Sequence, residues 1–487
     1  MLCITAQHTS GQELAKQLEA AAQILQQKNV TFLLEFRFDA LEKIDDAILS
    51  TAKRFARNAI FCVRSKKSGG FFNGTKEDQI QIIKKLSDLS PSYFDVDSHL
   101  LTQNFSLRES IPFASQTKVI ASVHNFSGDW HTFENELKSI EQLDCDIIKG
   151  AITLSDASEN LRLMNIAHSL QKPCVIIGMD EAGLLSRVRY RHFHSLWTYV
   201  SATETSKTAP GQINVTQALE WGLPKCADQE FVALLGNKSI RHSPGPKVYN
   251  ALFRKKSLPL SYIPVPTMKP EITCNLLQKL GAKGASITVP YKIWAAHQFP
   301  GDELVKRIGA ANSIKFNTDG TVLLSNTDSF GFQTPLQRAT VEAGQKCLIL
   351  GAGGATHAAI EACRKLSLSP IICARDTAKA RTHFPKIPII EWADRASTDA
   401  TILINATILG GKSTEIWPAG AQLNKEIVFD CAMSTEPSRL LEIARQEKSI
   451  TISAHDMWVA QGVRQILWLT GQIFSEEELR RELPIIS

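Results

Sequence analysis

Lys346-Cys-Leu-Ile-Leu-Gly-Ala-Gly-Gly-Ala355 is an apolar run that ends in a glycine-rich turn and passes into a helical pattern. A strand opening through glycines onto a helix gathers backbone N–H groups and a helix N-terminus at one point, which suits a pyrophosphate. A glycine turn alone is a weak signal, so its neighbours decide the reading. Strand-like runs follow at Pro370 to Ala374, Thr401 to Asn405, Glu426 to Asp430 and Ser449 to Ser453. Such a succession predicts a parallel, dinucleotide-binding sheet, with Gly351, Ala352, Gly353, Gly354 and Ala355 at the phosphates. The next strand ends in Ala374-Arg375-Asp376. An NAD site usually has an acidic residue on the ribose hydroxyls here, whereas Arg375 would neutralise the extra phosphate of NADP. Asp376 reads as the cap of a helix beginning at Thr377.

Upstream, strands at Phe231 to Leu235, Ser261 to Val265, Ala285 to Val289, Ser313 to Phe316 and Val322 to Ser325 predict a first α/β group. Helices from about Asp456 to Thr470 and Glu476 to Leu483 close the chain and would pack back on it. Trp221-Gly222-Leu223-Pro224 marks the boundary before this group. Ahead of it, strands are predicted at Leu2 to Ala6, Val30 to Phe38, Ala59 to Arg64, Tyr93 to Asp97, Lys118 to Asn125, Cys145 to Ala151, Pro173 to Gly178 and Trp197 to Ser201. Amphipathic segments such as Gln12 to Gln27 and Ala157 to Leu170 lie between them. Eight strand–helix units in about 220 residues is the size of a (β/α)8 TIM barrel, with a doubly wound open sheet as the rival. The fold class is α/β throughout.

A chain of 487 residues exceeds one ordinary core, so two or three domains are expected. Its 44% hydrophobic and 21% charged residues exclude a disordered or fibrous chain. The net charge of +5 offers no broad basic surface for nucleic acid. The ten cysteines form no C-x-x-C clip and read as small core residues of a reducing cytosol. No apolar run reaches membrane-helix length, and the start, Met1-Leu2-Cys3, lacks the basic flank of a signal peptide. A cytoplasmic location is expected. No His, Cys and carboxylate cluster has ligand spacing, so no metal is implied.

Polar residues interrupt the first-half strands near their C-terminal ends, where barrel chemistry is placed: Glu35, Arg37, Arg64, His124 and Lys149. Lysine in Asp146-Ile-Ile-Lys149-Gly150 reads as a salt-bridged structural group or as a Schiff-base nucleophile. The second reading needs a free amine, obtained by desolvation or by cations such as Arg64 and Arg187. His124, one strand away, supplies a proton carrier. Together Glu35-Phe-Arg37-Phe-Asp39, Arg64 followed by Gly69-Gly70, Ser122-Val-His124-Asn-Phe126, Lys149, Ser186-Arg187 and Ala209-Pro-Gly-Gln212 resemble the type I 3-dehydroquinate dehydratases. The resemblance covers residues 1 to about 220. It implies that Lys149 forms an imine with the ring ketone and that His124 removes the neighbouring proton. Arg187 and Gln212 would hold the carboxylate and hydroxyls, and Glu35, Arg37, Arg64 and Thr208 would line the site. Ser68 stands where the family carries a glutamate that pairs with the histidine, Asp97 replaces a glutamate, and Thr208 replaces a serine.

In the second half, Ser286-Ile-Thr288-Val-Pro290-Tyr-Lys292 and Asn326-Thr327-Asp328 each end a strand in polar groups. Lys292 and Asp328 read as an ordinary ion pair or as a proton-transfer pair beside a nicotinamide. With His242-Ser243, Tyr249-Asn250, Gly309-Ala-Ala-Asn312, the Gly351 loop, Asn405-Ala-Thr407 and Gln461-Gly462, these motifs resemble shikimate dehydrogenase over residues about 230 to 487. The resemblance implies catalysis by Lys292 and Asp328 and substrate contacts from Ser243, Thr288, Asn312 and Gln461. NADP would be held by Gly351 to Ala355, Arg375, Asn405 and Thr407. Departures are Gly245 for a serine, Ser286 for an asparagine, Ser313 for a threonine and Met433 for a tyrosine.

The two resemblances are consecutive steps, from 3-dehydroquinate through 3-dehydroshikimate to shikimate with NADPH. The expected division is a barrel over 1–222, a substrate-binding lobe over 229–332 completed by helices in 455–487, and a Rossmann NADP-binding lobe over 333–454. Two alternatives are a quinate dehydrogenase in the second half and a non-catalytic, ligand-sensing regulator. The expected partners are these small anions, without nucleic acid or membrane; the oligomeric state is left open.

Overall fold

The structure, a computed structural model, describes residues 1–101, 111, 114–407, 409, 416–433 and 437–483. By density of internal contacts it divides into two compact units: Met1–Phe231 with Asn237–Arg241 and Phe253–Gly281, and Val232–Gly236 with His242–Leu252 and Ala282–Ser487.

The first unit contains eight parallel strands: β1 (Leu2–Thr5), β2 (Phe32–Arg37), β3 (Ala59–Cys62), β4 (Tyr93–Asp97), β5 (Lys118–Asn125), β6 (Ile147–Thr153), β7 (Cys174–Met179) and β8 (Thr198–Ser201). They pair in sequence order, and β8 returns to β1 with Leu2 opposite Thr198. A bridge between Cys174 and Ser195, just ahead of β8, brings the sheet nearly to closure. Alternation along each strand builds the interior in layers. Cys3, Leu33, Ile60, Ile120, Ile147, Val175 and Trp197 fill an apolar floor. Two residues further along, Glu35, Cys62, Asp95, Ser122 and Lys149 form a buried polar layer above it. Lys149 is thus the third residue of β6 and lies inside the barrel, deeper than the strand end where the sequence reading put it. Arg64 lies two residues past β3.

Strands β9 (Phe231–Gly236), β10 (Ser261–Pro266), β11 (Ala282–Ile287), β12 (Ser313–Phe316) and β13 (Val322–Ser325) make a five-stranded sheet in the order β10-β9-β11-β12-β13. β12 is antiparallel to both β11 and β13. β11 ends two residues before the predicted Val289. Thr288 closes a turn by accepting from the Tyr291 N–H, and Pro290 has no N–H to extend a ladder.

The third sheet is parallel, β14 (Lys346–Leu350), β15 (Ser369–Ala374), β16 (Ile389–Glu391), β17 (Ile402–Asn405), β18 (Ile427–Asp430) and β19 (Ile450–Ile452), in the order β16-β15-β14-β17-β18-β19. β16 has no counterpart in the sequence reading: three residues behind Pro388 carry too little pattern. β14 lies between the two halves of the sheet, so the glycine turn after it sits where the strand order reverses. The helix Ala454–Thr470 packs on helix Asp328–Arg338 and touches β11 and β12, the predicted return of the chain end onto the first α/β group.

Candidate active sites

One cavity in the barrel is lined by all eight residues singled out from the first half: Glu35, Arg37, Arg64, His124, Lys149, Arg187, Thr208 and Gln212. Ser68 is on its wall too. Lys149 Nζ bonds Asp95 Oδ2 at 2.7 Å and Glu35 Oε1 at 3.2 Å, and sits 4.2 Å above the centre of the Tyr199 ring. Burial by itself would depress its pKa, but the Asp95 and Glu35 carboxylates prevail and hold it above the ordinary lysine value. This corrects the expectation that neighbouring cations free the amine: the resting group is an ammonium between two carboxylates.

Asp95 Oδ2 also accepts from Arg64 at 2.8 Å, and the same guanidinium reaches the His124 ring nitrogens at 2.7 and 2.8 Å. Burial, then Arg64, then Lys149 push His124 well below the usual histidine range, so its ring is neutral. Arg37 is forked onto Asp39 at 2.9 and 2.8 Å, which leaves it rigid at the cavity wall. Thr208 donates its N–H to Gln212 Oε1 at 2.9 Å. Arg187 is 2% exposed, and burial lowers its pKa to about 10. Its Nε has no hydrogen-bond partner among the described residues, a donor suited to an anion. Gly69, at φ +79°, abuts the Phe126 ring so closely that a Cβ would overlap it.

Asp95 and Tyr199 are contacts of Lys149 that sequence reasoning missed. The alternation Tyr93-Phe-Asp95-Val-Asp97 was the available signal for Asp95, since it puts both carboxylates on the inner face. Asp97 accepts from Ser65 N at 2.8 Å and Gln79 Nε2 at 3.1 Å and so anchors the loop after β3. Glu35, Cys62 and Asp95 are close enough to share a metal ion. Both carboxylates are occupied by Lys149 and Arg64, however, and burial holds the Cys62 thiol protonated.

In the second unit Lys292 Nζ lies 2.6 Å from Asp328 Oδ2. Asn312 Nδ2 donates to Asp328 Oδ1 and Thr327 Oγ1, each at 2.9 Å, and to Gln461 Oε1 at 3.3 Å. Four predicted residues, Lys292, Asp328, Asn312 and Gln461, therefore form one net. Ser243 and Thr288 follow β9 and β11 but do not join it through their side chains among the described residues; Ser243 Oγ accepts from Gly245 N at 3.3 Å. Ser286 donates to Gln465, which in turn donates to Ser313 Oγ and the Asn312 carbonyl, so two of the departing residues brace the net from behind.

At the glycine turn Gly351 has φ +103°, and a Cβ there would meet the Thr407 methyl at 2.8 Å. Gly353 and Gly354 face open space at the start of helix Gly354–Lys365. Thr407 Oγ1 donates to Asn405 Oδ1 at 2.7 Å, and Asn405 donates to Asp430 at 2.7 Å, which fixes the loop after β17 beside the turn. Arg375 is exposed just past β15, and Asp376 accepts from Lys379 N at 2.9 Å as a helix cap.

Residues 6–221 match the family Type I 3-dehydroquinase, and 234–314 match the shikimate dehydrogenase substrate binding domain. The shikimate dehydrogenase (NADP(+)) of Pelobacter propionicus is 31% identical over 263 residues, covering 51% of this chain and 93% of that protein. The chain belongs to the type I 3-dehydroquinase and shikimate dehydrogenase families. Both appear in single proteins similar along nearly the whole length of this one. The bifunctional 3-dehydroquinate dehydratase/shikimate dehydrogenase, chloroplastic, of Arabidopsis thaliana is 25% identical, with 90% of this chain and 77% of that protein covered. The shikimate biosynthesis protein AroDE of Chlamydia pneumoniae is 26% identical, with 96% and 95% covered. Among the described residues His124 bonds Arg64 and no carboxylate. No helix is long and apolar enough to cross a membrane among the described residues.

Proposed function

We propose that the chain dehydrates 3-dehydroquinate to 3-dehydroshikimate in the barrel and reduces that product to shikimate with NADPH in the dehydrogenase half. The observation that carries this reading is one lysine set against one proton carrier in each half, Lys149 with His124 and Lys292 with Asp328. Residues 1–222 are assigned to the dehydratase, 229–332 with 455–487 to the substrate lobe, and 333–454 to the NADP lobe.

In the barrel, Arg187 and Gln212 hold the substrate carboxylate and hydroxyls, with Glu35, Arg37, Arg64 and Thr208 shaping the rest of the wall. Lys149 gives up its proton, attacks the ring ketone, and water leaves to form the imine. The imine acidifies the adjacent C–H, whose proton passes to the neutral His124 ring. His124 returns a proton to the departing hydroxyl, and water releases the product from Lys149.

The glycine turn fits a dinucleotide: Gly353 and Gly354 leave room at a helix N-terminus, Thr407 packs on Gly351 and is held by Asn405, and Arg375 is taken to meet the extra phosphate of NADP. NADPH, when bound, supplies hydride. Lys292 holds a proton at the substrate oxygen, and Asp328, fixed by Asn312, orients the ammonium. Ser243, Thr288, Asn312 and Gln461 bind the substrate carboxylate and hydroxyls. The ten cysteines are all free, which supports a reducing, cytoplasmic location.

Purified protein given 3-dehydroquinate tests the reading. Enone absorbance accumulating without NADPH, and disappearing with cofactor oxidation when it is added, is the expected result. NADPH oxidation only with added 3-dehydroshikimate removes the first activity.

A further inference from the structure

His124 has a cationic partner where a general base would be better served by an anionic one, and this arrangement traces back to a single carboxylate. Asp95 Oδ2 accepts from Lys149 at 2.7 Å and from Arg64 at 2.8 Å, and Arg64 in turn bonds the His124 ring. Asp95 is 1% exposed, Lys149 5% and Arg64 3%, so none of these contacts is relieved by solvent. Asp95 Oδ1 has no hydrogen-bond partner among the described residues, which leaves the whole arrangement hanging on Oδ2. Glu35 is a second partner of Lys149 at 3.2 Å but shows no bond to Arg64 among the described residues, so it does not carry the link to His124.

We propose that Asp95 is the positioning residue of the dehydratase, holding the Lys149 amine directly and the His124 ring through Arg64. This rests on the imine-forming reading of the barrel. The link matters because attack by Lys149 and proton removal by His124 act on neighbouring substrate atoms, so the two groups must keep a fixed separation. An error of about 1 Å in such a pair costs on the order of 10²-fold in rate. The groups facing Lys149 are Cys3 on β1, Glu35 on β2, Cys62 and Arg64 from β3, Asp95 on β4, His124 on β5 and Tyr199 on β8. Of these, Asp95 acts most strongly to keep the amine protonated.

The test uses the full chain, Asp95→Asn, 3-dehydroquinate and borohydride, with adducts located by mass spectrometry. In the parent protein an adduct on Lys149 is expected. In Asp95→Asn the adduct should still form, kcat should fall roughly 10²-fold with KM changed far less, and the rise of kcat/KM with pH should move to lower pH because the amine has lost an attracting carboxylate. An Asp95→Asn protein with kcat within twofold and an unshifted profile overturns the proposal while a parent adduct keeps the imine reading. A parent protein without an adduct overturns both. Should the asparagine variant fail to fold, Asp95→Glu keeps the charge but displaces it. It should lose kcat with the profile in place, and an unchanged kcat overturns the proposal.

Discussion

Lys292 and Asp328 meet at 2.6 Å across the start of two helices, and the second Asp328 oxygen is held at 2.9 Å by Asn312. An ordinary surface pair is not pinned at both oxygens, whereas a proton-transfer pair gains from it. Asp328→Asn keeps the shape and removes the charge. Reduction of 3-dehydroshikimate should lose roughly 10²-fold or more in kcat, with KM little changed. The rate of NADPH oxidation at saturating substrate checks this, and a loss under tenfold removes Asp328 from the chemistry.

Lys149→Ala should abolish the first step and spare the second. Its 3-dehydroshikimate-dependent NADPH oxidation should stay within twofold of the parent, while enone formation from 3-dehydroquinate disappears. The substitution leaves Glu35 without its cation and Asp95 with Arg64 alone. Breaking a buried pair costs about 3–5 kcal/mol, so the barrel should also melt earlier. A variant that still makes the enone contradicts the imine assignment.

The sequence carried the strands because they are apolar runs, and it carried Lys149, His124, Lys292 and Asp328 because each interrupts or ends such a run. It did not carry the company these residues keep. Asp95 is 54 residues from Lys149 and Glu35 is 114 residues away; only closure of the barrel brings β2, β4 and β6 around one ammonium. Reading the sequence locally, Arg64 and Arg187 looked like the groups that set the lysine, and the sign of its pKa shift came out opposite. Ser286 and Ser313 are legible only as departures until Gln465, from the last long helix, is seen to join them.

His124 links pH to stability. Burial, Arg64 and Lys149 depress its folded pKa, so below the unfolded value of about 6.5 the unfolded chain binds a proton the folded chain refuses. The stability it contributes is full above that pH and is lost as pH falls towards the folded pKa. Each such histidine adds about 1.4 kcal/mol per pH unit to the slope. His124→Gln should therefore flatten the fall in melting temperature below pH 6.5, measured by calorimetry. An unchanged slope means the ring is protonated in the folded barrel.

Arg189 is a buried cation of the first unit that serves the backbone rather than the cavity. It is fully buried and donates to the carbonyls of Cys226 at 2.8 Å, Gln229 at 2.5 Å and Leu280 at 2.9 Å, with its guanidinium 4.5 Å from the centre of the Phe231 ring. Burial lowers its pKa to about 10, which leaves it charged at neutral pH. No carboxylate bonds it among the described residues, so three backbone carbonyls carry the charge and are themselves left unsatisfied when it goes. Hydrogen bonds from a charged donor contribute about 1.5–3 kcal/mol each, and losing them together should cost about 3 kcal/mol or more. At about 2–4 °C per kcal/mol for a unit of this size, Arg189→Ala should lower the first melting transition by roughly 6–12 °C. Arg189→Lys keeps the charge but not the planar fork that reaches carbonyls on both sides, so it should recover only part of that loss. Arg187, two residues earlier on the short helix Leu184–Val188 that Arg189 caps, lines the dehydratase cavity. KM for 3-dehydroquinate should therefore rise in Arg189→Ala while that for 3-dehydroshikimate stays fixed; equal KM values and an unchanged melt would show that these carbonyls do not need the guanidinium.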